Sequence, residues 1–338
     1  MNDRPETESP RRLVDSFGRT INNLRISVTD RCNMRCTYCM PAEGMVFFDR
    51  VEILTFEEIL RFVRVGATLG ITDIRLTGGE PLVRRDLHVL IRQIAAVDGI
   101  QDIGLTTNGI LLEEQAQALH DAGLRRINVS LDSLDPEKFA RITRRDVFHK
   151  VLAGLEAAER AGMSPIKVNT IAMRGFTEEE ILRFAALARE KPYEVRFIEY
   201  MPLGADDIWE SGKVLSQDEI LAQVHAVWPL EPVEAPDSRA PADTFQFLDG
   251  RGKIGIIASV THPFCDACDR VRITADGKLR TCLFSISETD IKALIRGGAT
   301  DEELGEVLIR AVWNKEPGHR INQPDFVKPA RTMSAIGG

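Results

Sequence analysis

Two adjoining stretches of the sequence decide the fold: Leu24-Arg25-Ile26-Ser27-Val28, and then Cys32-Asn33-Met34-Arg35-Cys36-Thr37-Tyr38-Cys39-Met40. The first alternates apolar and polar side chains, which predicts a β-strand, and the cysteines follow in the loop that leaves it. Their C-x3-C-x2-C spacing allows one short loop to fold three thiolates around one inorganic cluster, because thiolates suit iron–sulfur chemistry. A cubane has four irons, so three protein ligands leave one iron open, as in a catalytic metal site.

Zinc is the main alternative for this loop. A structural zinc site takes four ligands, commonly as paired C-x2-C units, and the nearest downstream histidine is His88. The spacing and the missing fourth ligand favour an iron–sulfur cluster. A disulfide is less favoured still, because nothing in the sequence marks the chain as secreted.

A second set of cysteines lies far along the chain, at Cys265, Cys268 and Cys282. C-x2-C plus one cysteine is ambiguous by itself, and a zinc site completed by His262 is an alternative. Three thiolates again leave one iron of a cubane open. Arg270 and Arg272 follow Cys268 at positions i and i+2, so on a strand both side chains point to one face. Beside a cluster, this pair favours anion recognition over a solvated surface.

The bulk composition is that of an ordinary globular protein: 338 residues, 43% apolar and 28% charged. The net charge of −8 argues against a nucleic-acid binder that relies on overall basicity. No apolar run is long enough to span a bilayer. Residues 1–12 are polar and lack the apolar segment of a signal peptide. We therefore expect a cytoplasmic protein without membrane or nucleic-acid partners, and six cysteines that bind metal.

Strand-like and helix-like stretches alternate between residues 24 and 201. Strands are predicted at Leu24–Thr29, Asp73–Thr77, Asp102–Thr106, Arg126–Leu131, Ile166–Ala172 and Glu194–Tyr200. Helices are predicted at Phe56–Val63, after a capping box of Thr55 and Glu58, and at Leu87–Val97, Glu113–Ala122, Lys150–Ala161 and Glu178–Glu190. Six β/α units predict the α/β class, with a parallel sheet and helices outside it. Periodicity alone leaves both a partial (β/α)6 barrel and an open doubly wound sheet possible.

The pattern changes after a further predicted helix, Gln217–Val227. Residues 228–241 carry four prolines and few large apolar side chains, which predicts a linker. Beyond it we expect strands at Phe245–Leu248, Gly255–Ala258, Val271–Thr274 and Leu279–Thr281, and helices at Glu288–Arg296 and Glu302–Asn314. The chain is thus predicted to divide into a disordered lead-in (1–20), a barrel (21–228), a Pro-rich linker (229–243) and a smaller α+β domain (244–338).

Short stretches rich in polar residues and glycine follow most of the predicted barrel strands. Besides the cysteine loop, they are Thr77–Pro81, with its Gly78-Gly79-Glu80 sequence, and the stretches Thr106–Gly109, Ser130–Ser133 and Glu199–Pro202. Ligands gather where parallel strands end, so these loops predict one shared pocket. Considered without any other motif, the Gly-Gly-Glu sequence indicates a turn. Ser130 by itself would be a capping residue, and Met201 would be a residue of the hydrophobic core.

The cysteine triplet with Tyr38 directly before Cys39 resembles the radical S-adenosylmethionine (radical SAM) superfamily. The resemblance implies a partial TIM-like (β/α)6 barrel and a 4Fe–4S cluster on Cys32, Cys36 and Cys39. Its open iron would hold S-adenosylmethionine, whose reductive cleavage yields a 5′-deoxyadenosyl radical. The residues that match cofactor-binding positions of the superfamily are Tyr38, Gly79, Glu80, Ser130 and Met201.

The chain as a whole resembles the GTP-cyclising family of molybdenum cofactor biosynthesis. The resemblance rests on both cysteine sets, on Cys-Asp-Arg-Val-Arg at 268–272 and on the ending Met333–Gly338. This implies a lyase with a second 4Fe–4S cluster on Cys265, Cys268 and Cys282 that binds the guanine of GTP. The radical would take the ribose C3′ hydrogen, and C3′ would then attack guanine C8. Positions that match GTP contacts are Arg25, Arg75, Thr106, Lys167, Arg270, Val271 and Arg272. Arg270, Arg272, Gly337 and Gly338 match residues needed for catalysis.

The same resemblance implies several partners. These are an external one-electron reductant of flavodoxin or ferredoxin type, a downstream cyclic pyranopterin monophosphate synthase, and a second copy of the chain in a homodimer. Two further readings of the cysteines stay open: a peptide-modifying radical SAM enzyme with an auxiliary cluster, and a non-enzymatic two-cluster electron carrier. A zinc-binding interaction module is the third rival.

Overall fold

The computed structural model describes residues 12–204, 210–234 and 239–337. Within these ranges twelve strands form one sheet. The strands are β1 (Asn23–Ser27), β2 (Asp73–Thr77), β3 (Asp102–Thr107), β4 (Arg126–Ser130), β5 (Ile166–Ala172), β6 (Tyr193–Glu199), β7 (Leu230–Val233), β8 (Asp243–Phe247), β9 (Lys253–Ile257), β10 (Arg270–Ile273), β11 (Lys278–Arg280) and β12 (Thr289–Asp290).

The α-helices mostly lie between these strands. They are α1 (Phe56–Thr68), α2 (Leu87–Ala95), α3 (Leu112–Asp121), α4 (Pro136–Thr143), α5 (Phe148–Arg160), α6 (Ile181–Glu190), α7 (Gln217–His225), α8 (Ile291–Arg296), α9 (Asp301–Trp313) and α10 (Met333–Ile336). The predicted capping box is confirmed: the Glu58 amide donates to Thr55 Oγ1 and the Thr55 amide donates to the Glu58 carboxylate. No described helix is both long and apolar enough to cross a membrane.

Strands β1 to β6 pair in sequence order, and every pairing is parallel. This confirms the predicted (β/α)6 arrangement. Apolar side chains of these strands, such as Leu76, Leu105 and Val168, are buried against the helices and exclude water from the sheet. All six carboxyl ends therefore open on the same side, where a ligand pocket is expected.

The C-terminal strands extend this sheet at both edges. Strand β9 pairs in parallel with β6, and β10 pairs in parallel with β1. Antiparallel hairpins then add β8 and β7 at one edge and β11 and β12 at the other. The C-terminal part is thus continuous with the barrel through hydrogen bonds.

Two segments differ from expectation. Within the predicted linker, Leu230–Val233 forms β7; it is an edge strand, which tolerates Pro232 because a proline lacks only the amide hydrogen. Within the predicted disordered lead-in, Leu13 is buried in the hydrophobic core. Asp15 and Arg19 are also buried; Arg19 Nε pairs with Asp15 Oδ2 at 2.5 Å, and its other nitrogens bind backbone carbonyls. Residues 1–11 lie outside the described part of the chain.

Candidate functional site

A cavity of about 460 Å³ opens at the carboxyl ends of β1 to β6. Cys32, Cys36 and Cys39 all line it. The cysteine loop is held from outside by the end of α4, because the amides of Arg35 and Thr37 donate to the carbonyls of Thr143 and Ile142 at 3.0 and 2.9 Å. The loop therefore presents its thiols inward, as the sequence predicted.

Gly78 and Gly79 pack against the backbone that enters the cysteine loop. A Cβ on Gly78 would lie 2.5 Å from the carbonyl oxygen of Thr29, and one on Gly79 would lie 2.5 Å from that of Arg31. The Gly79 amide donates to Thr29 O at 2.7 Å, and the Glu80 amide to Arg31 O at 2.8 Å. The glycines are thus needed where two loops approach each other, and only Gly78 and Gly79 of the Gly-Gly-Glu sequence line the cavity.

Glu80 lies in the wall beneath the cavity. Its carboxylate accepts hydrogen bonds from Thr107 Oγ1 (2.7 Å) and from the amides of Leu82 (2.9 Å) and Asn108 (2.6 Å). Burial raises the pKa of Glu80 to about 7, although these bonds oppose the shift. In this arrangement Glu80 joins the loops that follow β2 and β3.

The three thiols of the first set are close enough to influence one another. Burial, and then the neighbouring Cys32, raises the pKa of Cys39 to about 12, and at Cys36 burial is likewise the first cause of a raised pKa, with both other cysteines contributing. All six cysteines are free thiols. In the described part of the chain no three His, Cys, Asp or Glu side chains converge closely enough for a single metal ion. A cubane is larger than one ion and spaces its ligands more widely, so three cysteines around one cavity fit a cluster.

Tyr38 and Asp132 form a buried pair next to these thiols. Tyr38 donates its hydroxyl hydrogen to Asp132 Oδ2 at 2.6 Å, and the Ile171 amide donates to Asp132 Oδ1 at 3.0 Å. Burial raises the pKa of both side chains, and Asp132 adds to the shift of Tyr38. Asp132 follows β4, so its bonds to Tyr38 and Ile171 fix the aromatic ring over the cysteine loop.

The second cysteine set lies behind the opposite wall. Its own side chains do not line the cavity, but Phe264, Asp269 and Leu283, which adjoin them in sequence, do. Burial raises the pKa of Cys265, although the nearby His319 amide opposes the shift. Burial also raises the pKa of Cys282. The donor set again consists of three partly buried free thiols, which fits an iron–sulfur cluster.

A row of arginines crosses the floor of the cavity because of strand register. Arg25 in β1 is directly opposite Arg272 in β10 on one side and Arg75 in β2 on the other. Burial, and then the other arginines, lowers the pKa of Arg25 well below its ordinary value. In β3 the position opposite Arg75 is Gly104, where a Cβ would lie 2.4 Å from Arg75 Nη1. The glycine thus leaves room for the guanidinium.

Lys167 continues this cationic surface towards β6. It faces Glu194 at 4.0 Å and shares the cavity wall with Arg126 and Arg196. Burial, and then the positive charge of Arg196, lowers the pKa of Lys167 to about 8. Arg196 is paired with Glu194 at 2.5 Å and Arg126 with Asp102, so these two charges are partly offset, and the attraction for a polyanion comes mainly from the excess of positive groups over carboxylates along this wall.

The remaining predicted site residues fall into two groups, according to whether their side chains line the cavity. Thr106, Ser130, Met201 and Arg270 line the cavity. Val271 does not, because successive side chains of a strand point to opposite faces and its own is buried in the core. Any contact from Val271 would therefore come from its backbone.

The C-terminal residues reach the cavity between the two cysteine sets. Gly337 has a φ of +86° and its carbonyl accepts a hydrogen bond from Arg272 Nη1 at 3.0 Å. On the same segment, Ser334 lines the cavity, and its proximity opposes the rise in the pKa of Cys39. Gly338 lies outside the described residues.

Sequence reasoning missed several cavity residues: Asn128, Asn169, Arg126, Arg196, Phe264 and Arg239. Four of them, Arg126, Asn128, Asn169 and Arg196, lie on β4 to β6, where the alternation of side chains between the two faces of a strand was a usable signal. Asn128 and Ser130 share a face, as do Lys167 and Asn169, so the predicted Ser130 and Lys167 also point to their neighbours two positions away. Arg239, by contrast, is brought to the cavity by a stretch without periodicity.

Two family models match the chain in succession. The Radical SAM superfamily model matches residues 26–188, and the Molybdenum Cofactor Synthesis C model matches residues 193–321. The boundary between them lies just before β6, ahead of the predicted linker.

Curated relatives match nearly the whole chain. A protein named GTP 3′,8-cyclase from Mycolicibacterium smegmatis is 49% identical over 334 residues, covering 96% of this chain and 92% of that one. Another protein of that name, from Corynebacterium glutamicum, is 45% identical over 344 residues, covering 99% of this chain and 91% of that one.

Solved structures share the fold at low identity. Native anSMEcpe with bound AdoMet has a TM-score of 0.59 at 16% identity, covering 87% of this chain and 81% of that chain. Streptococcus suis SuiB bound to the precursor peptide SuiA has a TM-score of 0.60 at 14% identity, covering 87% of this chain and 65% of that chain. At such identities the likeness concerns the fold alone.

Proposed function

Because this chain belongs to the GTP 3′,8-cyclase family of the radical SAM superfamily, we propose that it cyclises GTP as a radical SAM lyase. The product is (8S)-3′,8-cyclo-7,8-dihydroguanosine 5′-triphosphate, formed in the first step of molybdopterin biosynthesis. The observation that carries the proposal is the cavity itself: one wall bears the first cysteine set, the opposite wall adjoins the second, and the floor between them is the arginine row.

Two 4Fe–4S clusters and S-adenosylmethionine are the cofactors. When bound on Cys32, Cys36 and Cys39, the first cluster supplies the electron that cleaves S-adenosylmethionine to the radical that takes the ribose C3′ hydrogen. Tyr38, the Gly78–Gly79 backbone, Ser130 and Met201 surround this end of the cavity and position the cofactor. Apolar neighbours such as Met34 and Phe139 exclude water there.

The opposite end orients GTP. Cys265, Cys268 and Cys282 would hold the second cluster, and the cluster would supply a binding position for the guanine. The triphosphate carries several negative charges, and Arg25, Arg75 and Lys167 lie along one surface that can bind it. Arg272 holds the carbonyl of Gly337, so the C-terminal segment closes the cavity beside the reacting ribose.

The partners follow from this chemistry. Cleavage of S-adenosylmethionine needs one electron from outside, and Arg31, Arg35, Arg144 and Arg145 lie around the first cysteine loop of a chain whose net charge is −8. This local positive surface supports an acidic donor of flavodoxin or ferredoxin type. We further infer that the protein is cytoplasmic, that it acts as a homodimer, and that its product passes to a cyclic pyranopterin monophosphate synthase.

The test is anaerobic turnover of the reconstituted enzyme with dithionite, S-adenosylmethionine and GTP deuterated at C3′, followed by mass spectrometry. We expect deuterated 5′-deoxyadenosine together with an isomer of GTP. The variant Cys39→Ala should yield neither product, whereas Cys282→Ala should still cleave S-adenosylmethionine but form no isomer. 5′-Deoxyadenosine with unchanged GTP in the wild type would reject the substrate, and neither product at full iron loading would favour an electron carrier.

A further inference from the structure

Lys315 joins the two halves of the second cysteine set. It follows α9 and only 3% of its surface is exposed. Its Nζ donates to the carbonyl of Arg270 at 3.0 Å and also to the carbonyl of Thr281. Arg270 comes two residues after Cys268, and Thr281 directly precedes Cys282. One ammonium group therefore ties the loop that carries the first two cysteines to the strand end that carries the third.

Hydrogen bonds to carbonyls hold this ammonium but do not neutralise it. A buried positive charge is costly unless a negative group lies nearby. The three cysteines flank the two carbonyls that Lys315 holds, and as thiolate ligands of a cluster they would supply that negative charge.

The residues after Lys315 are fixed against the same cysteines. Arg19 donates to the carbonyl of Cys265 at 2.8 Å, to that of Pro317 at 2.7 Å and to that of Glu316 at 2.5 Å. Gly318 packs so closely that a Cβ there would lie 2.9 Å from Cys265 Cβ. The segment from 315 to 318 is thus attached to the ligand set at several points, which leaves the Lys315 ammonium little freedom to move away.

We propose that Lys315 is the positioning residue and buried counter-cation of the second cluster. It holds the two cysteine-bearing segments at cluster distance and offsets the negative charge of the thiolate-ligated cluster. The inference rests on the proposed function only in assuming that these cysteines bind an iron–sulfur cluster. A cation beside a cluster stabilises its reduced form, so Lys315 also raises the reduction potential.

The experiment isolates the second cluster in the full-length protein by replacing Cys32, Cys36 and Cys39 with alanine. In this background Lys315→Met removes both the charge and the hydrogen bonds, whereas Lys315→Gln removes the charge and keeps an NH donor on a side chain one atom shorter. Lys292→Met is the matched control, because Lys292 Nζ also donates to a carbonyl, that of Glu52 at 2.6 Å, but at an exposed site. Iron per chain, the rate of iron loss to a chelator, and the midpoint potential from an EPR-monitored titration are measured.

We expect Lys315→Gln to lose iron to the chelator at least tenfold faster than the parent and to have a lower potential. Lys315→Met should retain less iron still, and Lys292→Met should match the parent. Parent-like iron retention and potential in Lys315→Gln would overturn the proposal. So would failure of Lys315→Gln to fold as the iron-free protein, judged by circular dichroism, because Lys315 would then serve the fold generally. These readouts need neither GTP nor turnover, so they stand apart from the cyclase test.

Discussion

Gly337→Ala tests whether the C-terminal segment must dock in the cavity. At a φ of +86° an alanine costs about 1–2 kcal/mol. Its Cβ would also lie 2.7 Å from Ser27 Cβ and 3.1 Å from Thr77 Cγ2, an overlap that costs about 1–3 kcal/mol. The total of about 2–5 kcal/mol falls on a segment held partly by one buried bond from Arg272, so we expect docking to weaken about 30-fold or more.

The assay is the ratio of cyclised GTP to 5′-deoxyadenosine formed by the reconstituted enzyme. We expect Gly337→Ala to retain the iron of both clusters and to cleave S-adenosylmethionine, while the ratio falls at least tenfold because the docked state is rarely populated. Gly298→Ala is the matched control: Gly298 has the same φ of +86°, but a Cβ there would meet no neighbouring atom of the described residues within 4 Å. A wild-type ratio in Gly337→Ala, or an equal fall in Gly298→Ala, would refute this reasoning.

Three further predictions follow from the cavity wall. Gly79→Ala should displace the backbone that enters the first cysteine loop, so iron analysis should show about half the wild-type iron and no S-adenosylmethionine cleavage; full iron would contradict this. Gly104→Ala should push the Arg75 guanidinium aside and raise the KM for GTP about tenfold while leaving uncoupled S-adenosylmethionine cleavage intact; an unchanged KM would count against the phosphate role of Arg75. Because the pKa of Lys167 is lowered to about 8, its positive charge is lost as the pH rises through 8, so kcat/KM for GTP should fall above that pH, and Lys167→Arg should move the fall to higher pH; an identical pH profile in both enzymes would exclude Lys167 as the titrating group.

The local parts of the fold were predictable from the sequence. Strand β2 at Asp73–Thr77 and strand β5 at Ile166–Ala172 have the predicted bounds, because apolar residues that alternate with polar ones end at turn signals there. The start of α1 at Phe56 was predictable because Thr55 and Glu58 satisfy each other's backbone amides. The convergence of loops at the carboxyl ends followed from parallel pairing alone.

What depends on pairing between distant segments was not predictable. Leu230–Val233 was taken for linker because prolines outweigh a four-residue strand signal, and only the partner β8 makes it a strand. Helix α4 is an exception, because the signals that were missed are local: Asp135 caps the helix and Pro136 is its first residue. The arginine row needed the register of β10 against β1, a contact between residues about 250 positions apart that no periodicity encodes.

The placement of β9 and β10 on the two sides of the parallel strands β1 to β6 has a consequence for synthesis on the ribosome. Strand β6 gains its parallel partner about 55 residues after it is made, but β1 waits about 240 residues for β10. At about 5–20 residues per second, the first strand is translated roughly 10–50 s before its neighbour exists. An unpaired strand edge invites association with other chains. Slow translation or truncation before Arg270 is therefore expected to favour aggregation of the nascent chain rather than release of an independent barrel.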